Sequence, residues 1–200
     1  ADLEKAVEVF NSQGITPIAL GNEFPWVGGM FFGMLVNRIG GNEPYDALVQ
    51  GRGSWNAPAF VQAGKYLQKL QAMDAFPPGV NQLSYEDAVT MFIQGEAAMY
   101  LMGSWIIARL GNEQSLIRDH VGVIPFPVME GGLGSHDDWM GQSDNNLGVS
   151  AECEDKETVV RFLKLLTSNA YQIRYAQEMG GQPATLVDMA RLEVPPLSRE

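Results

Sequence analysis

The sequence predicts an α/β protein, and three observations carry that prediction. Short apolar runs of strand length, residues 15–20, 97–102 and 121–126, alternate with segments of helical period. Glycine, proline and capping residues punctuate the junctions between them. No internal repeat, heptad or low-complexity tract competes with this pattern.

Composition narrows the function. Two hundred residues suffice to bury a real core, and 46% apolar with 18% charged residues is the balance of a folded chain. The 24 acidic residues outweigh the 13 basic ones, giving a net charge of −11. Nucleic acid and anionic membrane reward clustered Lys and Arg, so neither is expected as a main partner. Cys153 is the single cysteine, which rules out an intramolecular disulfide and leaves the redox compartment open. No apolar run approaches the roughly 20 residues of a membrane span. The chain opens directly on the helical pattern ADLEKAVEVF, without a signal peptide or initiating Met, and is expected to be a processed chain or an excised piece.

In chain order, Leu3, Ala6, Val7 and Phe10 fall at helical spacing, with Asp2 as a cap and Gly14 as a stop. Residues 15–20 follow as a strand, and Pro17 places it near an edge or an end. Residues 21–29, GNEFPWVGG, read as a loop carrying Glu23, Phe24 and Trp26. Residues 30–39 form an apolar buried helix that Gly40-Gly41 ends, and residues 42–56 read as a hairpin or irregular segment. Pro58 opens a helix with Phe60, Ala63, Leu67 and Leu70 on one face. Ser84 and Asp87 match a capping box that starts the next helix.

Residues 94–110, QGEAAMYLMGSWIIARL, organise the middle of the chain. Gly95 is a helix stop, and residues 97–102 are a strand short and apolar enough to be covered on both faces. Gly103-Ser104 turns the chain, and the Ser104 hydroxyl is placed to cap the helix that Trp105 opens. On spacing alone Trp105 is a core residue. Residues 121–126 are a further strand, and 130–146 a long, flexible, glycine- and Asx-rich loop of the kind that often carries function. A short strand over 147–150 precedes a helix with Val159, Phe162, Leu163 and Leu166, capped by Asp155. Another helix spans 168–179, and a short one is expected after Thr185.

Catalytic motifs are absent: there is no P-loop, GxGxxG, GxSxG, HExxH or CxxC. His136, Asp137 and Asp138 are adjacent, and three adjacent side chains rarely converge on one ion, so no metal site and no cofactor are expected. Glu23 with Asp137, Asp138 or Asp144 would suit glycoside hydrolysis only at a set separation, and acidic surface loops are common. Ser115 or Ser143 with a histidine has no support from flanking residues. No enzyme and no catalytic residue are expected. Binding is the stronger reading. Phe24, Trp26, Trp105 and Trp139 lie in or beside glycine-rich turns, where rings can stack on the C–H faces of a sugar. Asn22, Glu23, Gln142, Asp144 and Gln182 offer polar groups for hydroxyls.

Several stretches, in one order along nearly the whole chain, resemble a known family. They are G-I-T-P-I-A-L-G-N before Trp26, Gly40-Gly41, G-E-A-A-M-Y from Gly95, and G-S-W from Gly103 to Trp105. V-G-V-I-P-F-P from Val121, L-G-V-S from Leu147 with the helix after it, and G-G-Q-P-A-T from Gly180 continue the series. This ordered set is similar to the family 1, carbohydrate-binding extracellular solute-binding proteins of ABC importers, the group related to maltose-binding protein.

The resemblance implies a periplasmic-binding-protein-like type II fold, present in part as most of one lobe plus a segment of the other. Residues 1–127 would form a C-terminal-lobe-like portion, 128–146 a loop and hinge region, and 147–200 a segment of the N-terminal lobe. Hinge strands would lie near Pro125 and within 141–150. By position, Trp105 matches the sugar-stacking aromatic after the glycine turn, with Ser104 beside it. Glu23, Phe24 and Trp26 match a loop supplying a carboxylate and aromatics, Gln142 a hinge-proximal turn, and Trp139 a further ring. The implied function is capture of a small solute, a sugar or oligosaccharide, by a two-lobed clamp that delivers it to ABC permease subunits. The implied location is extracellular or periplasmic, with a possible lipid anchor on an N-terminal region outside this chain. A glycan-acting hydrolase using acidic loop residues, or a ligand-sensing domain on the same fold, are the alternatives. Apolar surface on the 159–166 helix would favour self-association.

Overall fold

A computed structural model describes residues 2–140 and 146–199. The chain divides into two compact units, Ala1–Met102 with Ile124–Met140 and Gly103–Val123 with Gly141–Glu200.

In the first unit, helix α1 (Asp2–Ser12) buries Leu3 and Val7 and leads to strand β1 (Thr16–Ala19). Helices α2 (Trp26–Gly40), α3 (Glu43–Val49), α4 (Pro58–Ala72) and α5 (Tyr85–Ile93) then carry the chain to strand β2 (Ala97–Tyr100). The strands pair in parallel, with Ile18 opposite Met99 and Ala19 opposite Tyr100. A parallel pair needs a long crossover, and these four helices supply it. Phe31, Leu35 and Val36 of α2 share one core with Phe60, Ala63 and Leu70 of α4. Phe31 also meets Phe76 and Phe126 edge-on, at centroid distances of 5.6 and 5.4 Å. Each such side chain contributes about 1.5–3 kcal/mol by leaving water. The capping box forms as expected: Asp87 N–H donates to Ser84 Oγ at 3.1 Å, and Ser84 N–H donates to Asp87 Oδ2 at 2.9 Å. Gly95, at φ 75°, follows the end of α5.

In the second unit, a 3₁₀ turn (Ser104–Ile106) runs into the short helix α6 (Ile107–Leu110). Helices α7 (Lys156–Leu166) and α8 (Asn169–Met179) follow, and α8 packs against both. Gln172 of α8 is buried and joins two neighbours: its Nε2 donates to the Leu166 carbonyl, and its Oε1 accepts from Ala184 N–H, both at 2.7 Å. Asp155 caps α7 by accepting from Thr158 N–H at 3.0 Å.

Several local expectations are corrected. The 21–29 loop ends four residues early, because α2 begins at Trp26. Glycines 28 and 29 mark its first turn, where the Asn22 side chain accepts from Gly28 N–H at 3.1 Å. The expected hairpin or irregular stretch at 42–56 contains α3, which has proline in its first turn and buries Pro44 and Ala47. The strand at 97–102 is shorter, and only Ala97 is buried within it; Ala98, Met99 and Tyr100 are half-buried. Ser104 caps nothing: the N-cap of its turn is Gly103, which has no side chain. No strand forms at 121–126 or 147–150 among the described residues. Pro125 and Pro127 lack the N–H a ladder needs, and the Phe126 carbonyl is taken by Arg38. After Thr185 the described residues make only 3₁₀ turns, Met189–Arg191 and Pro196–Arg199.

Candidate functional site

The loop after β1 is held by the backbone that precedes α5. Asn22 N–H donates to the Val80 carbonyl and Glu23 N–H to the Leu83 carbonyl, each at 2.9 Å. The Asn22 side chain secures both sides of the loop. Its Nδ2 donates to Asn81 Oδ1 at 2.8 Å, while its Oδ1 satisfies one of the N–H groups that a helix start leaves without a partner. Glu23 and Phe24 therefore project from a pinned turn, and Phe24 is 64% exposed. Trp26 opens α2 and leans on Tyr85, the first residue of α5, with centroids 5.4 Å apart and planes at 44°. It remains 45% exposed. The result is a carboxylate and two aromatic faces on one supported edge of the first unit.

Tyr85 is a residue that sequence reading missed, because a tyrosine inside a capping box reads simply as helix. Its position depends on that box. Hydrogen bonds from the Ser84 hydroxyl and backbone hold the Asp87 carboxyl below its usual range.

Trp139 belongs to a different part of the same unit. The carbonyl of its neighbour Asp138 accepts from Arg38, near the C-terminal end of α2, at 3.0 Å. At 1.5 Å per residue Arg38 lies roughly 18 Å along the helix from Trp26. The Trp139 ring is 64% exposed. His136, Asp137 and Asp138 are engaged with one another and with their own turn. His136 Nε2 lies 3.2 Å from Asp137 Oδ1, and Asp138 Oδ2 accepts from Ser135 N–H at 2.9 Å. Among the described residues no three His, Cys, Asp or Glu side chains are grouped to hold a metal ion.

In the second unit, Ser104 is half-buried and Trp105 is 43% exposed, not core. The benzo edge of the Trp105 indole lies where a Cβ on Gly103 would stand, so glycine is what lets the ring fold back over the turn. Gln142 and Asp144 lie outside the described residues.

Two open pockets, of about 560 and 340 Å³, lie where α4 meets α3 and where α4 meets residues 129–132. Neither includes Glu23, Phe24, Trp26, Tyr85 or Trp139.

The family model for bacterial extracellular solute-binding proteins matches residues 1–173, and the chain belongs to that family. An uncharacterised ABC transporter extracellular-binding protein of Pyrococcus horikoshii is 30% identical over 127 residues, which is 64% of this chain and 28% of that one. A solved structure from work on xylan utilisation by Caldanaerobius polysaccharolyticus matches at a TM-score of 0.89 and 31% identity, over 99% of this chain and 51% of the other. A chitin oligosaccharide binding protein matches at 0.87 and 27%, over 100% of this chain and 50% of its own. The fold is therefore of the periplasmic-binding-protein-like type II class, and the chain spans about half the length of these solved relatives. No described helix is long and apolar enough to cross a membrane.

Proposed function

We propose that the chain supplies ligand-contacting surface to a protein that captures a neutral oligosaccharide outside the cytoplasmic membrane and hands it to an ABC permease. The observation that carries this reading is the pinned edge of Glu23, Phe24 and Trp26, with Trp26 supported by Tyr85 and still half open to solvent. Flat rings offer stacking faces to the C–H side of a pyranose, and a carboxylate accepts from its hydroxyls. Relatives named for xylan utilisation and for chitin oligosaccharide binding support the same substrate class. Trp105 with Ser104 would form a second contact surface, and Trp139 and Gln142 would each be a separate contact.

In this reading residues 1–127 act as one lobe, 147–200 as part of the other, and the stretch between them as hinge. Ligand favours the closed state because it gains contacts there that the open state lacks. No bond is made or broken. A lipid anchor outside this chain would keep the protein at the membrane.

A thermal-shift panel tests the substrate class, since a ligand that binds only the folded state raises the melting temperature by mass action. Xylo- or chitin-oligosaccharides are expected to raise it, while amino acids, peptides and polyamines leave it unchanged. A rise with a peptide or polyamine alone would overturn the reading.

A further inference from the structure

Arg38 is the single charged residue of α2 and is completely buried. Its guanidinium donates in three directions: Nε to the Phe126 carbonyl at 3.1 Å, Nη2 to the Asp138 carbonyl at 3.0 Å, and Nη1 to Asn37 Oδ1 at 2.6 Å. Its carbon also lies 5.9 Å from the centroid of the Phe126 ring. Phe126 and Asp138 each stand two residues inside a point where the chain leaves the first unit, after Met140 and before Ile124. The loop between them returns to the same helix end. Leu133 N–H donates to the Ile39 carbonyl at 3.2 Å and Gly134 N–H to the Arg38 carbonyl at 3.3 Å. These bonds use carbonyls that a helix terminus leaves without intrahelical partners. Glycine at 132 and 134 allows the approach, because a Cβ there would strike the carbonyls of Arg38 and Asn37.

We propose that Arg38 is a positioning residue that clamps two of the three chain crossings of the first unit, residues 124–127 and 137–140, to the end of α2 as one body. A rigid planar fork holds carbonyls on two separate strands of chain in one fixed geometry, whereas a lysine ammonium would reach them only from a flexible stem. Burial pulls the guanidinium down from its ordinary value while the Asp138 charge opposes the shift, and an arginine stays protonated regardless. The clamp itself stands on the geometry above. Its consequence, that residues 128–140 travel with α2 and are not themselves the pivot, refines the two-lobed reading proposed for function and rests on it.

Residue-resolved amide exchange on Arg38→Gln and Arg38→Lys tests the clamp without any ligand, so failure of the sugar reading would leave the result intact. In Arg38→Gln the Leu133 and Gly134 amides are expected to exchange at least tenfold faster. Ile18, bonded to the Ala75 carbonyl, and Asp87, bonded to Ser84 Oγ, should stay within twofold. Arg38→Lys should show the same pattern more weakly, and it decides the matter if Arg38→Gln does not fold. Unchanged exchange at Leu133 and Gly134 would overturn the proposal. So would equal acceleration at all four amides, which would make Arg38 a general support of the core.

Discussion

Gly103 and Arg38 show how single residues set the positions of candidate contact groups. A methyl at Gly103 would occupy the place of the Trp105 benzo edge. Gly103→Ala is expected to push the indole off the turn at a cost of about 1–3 kcal/mol for overpacking. The check is near-ultraviolet dichroism and acrylamide quenching, which should change in Gly103→Ala and not in Gly148→Ala, where a Cβ meets open space. Arg38→Met removes the donors to two carbonyls, each costing about 1–3 kcal/mol if left unsatisfied, and the loss should show as faster local proteolysis within residues 124–140 with the denaturation midpoint little changed. Asp87 and Asp155 act through their charge. Both carboxyls are held below their usual range by cap hydrogen bonds, from Ser84 and Thr158 respectively. A depressed folded-state pKa means the stabilisation is present above the ordinary carboxylate range and is lost as pH falls through the lowered value. Acid titration should therefore loosen the first turns of α5 and α7 below about pH 4. Asp87→Asn should flatten that dependence for α5.

At the scale of elements, the capping box of α5 positions Tyr85 beneath Trp26. Ser84→Ala is expected to cost about 1 kcal/mol and to increase the solvent quenching of Trp26. Local chemistry made such elements legible. Pro58, Asp155, Ser84 with Asp87, and the glycines after α1, α5 and α8 announce their helix ends in a few residues, and the helices lie where those signals place them. Elements that depend on distant partners were not legible. The start of α2 is secured by Asn22, four residues upstream, and by Tyr85, some sixty residues downstream, so its glycines read as a loop. Residues 121–126 have strand composition, but among the described residues no strand pairs with them, and Arg38 takes a carbonyl the ladder would use. Arg38 left one faint signal, a lone charge in an apolar helix, but its targets are 88 and 100 residues away. Glu23, Phe24 and Trp26 sit together on the page of the sequence, whereas Tyr85 joins them only through the fold.

At the scale of the whole chain, α7 stands out because it buries none of its residues while Phe162 and Leu165 are 55% and 59% exposed. Contiguous apolar faces of this kind favour association. The 200-residue chain by itself is expected to form dimers or larger species in light scattering, and Phe162→Glu with Leu165→Lys should shift it toward monomer. A clean monomer at all concentrations would remove that expectation. The acidic balance of −11 disfavours anionic partners and otherwise serves mainly solubility. The central claim is that this edge holds a sugar, and calorimetric titration of the full protein with xylo- and chitin-oligosaccharides tests it most directly. Saturable binding is predicted, weakened at least tenfold, or about 1.4 kcal/mol, by Trp26→Ala. Absence of binding by every oligosaccharide, or equal affinity in Trp26→Ala, would contradict it.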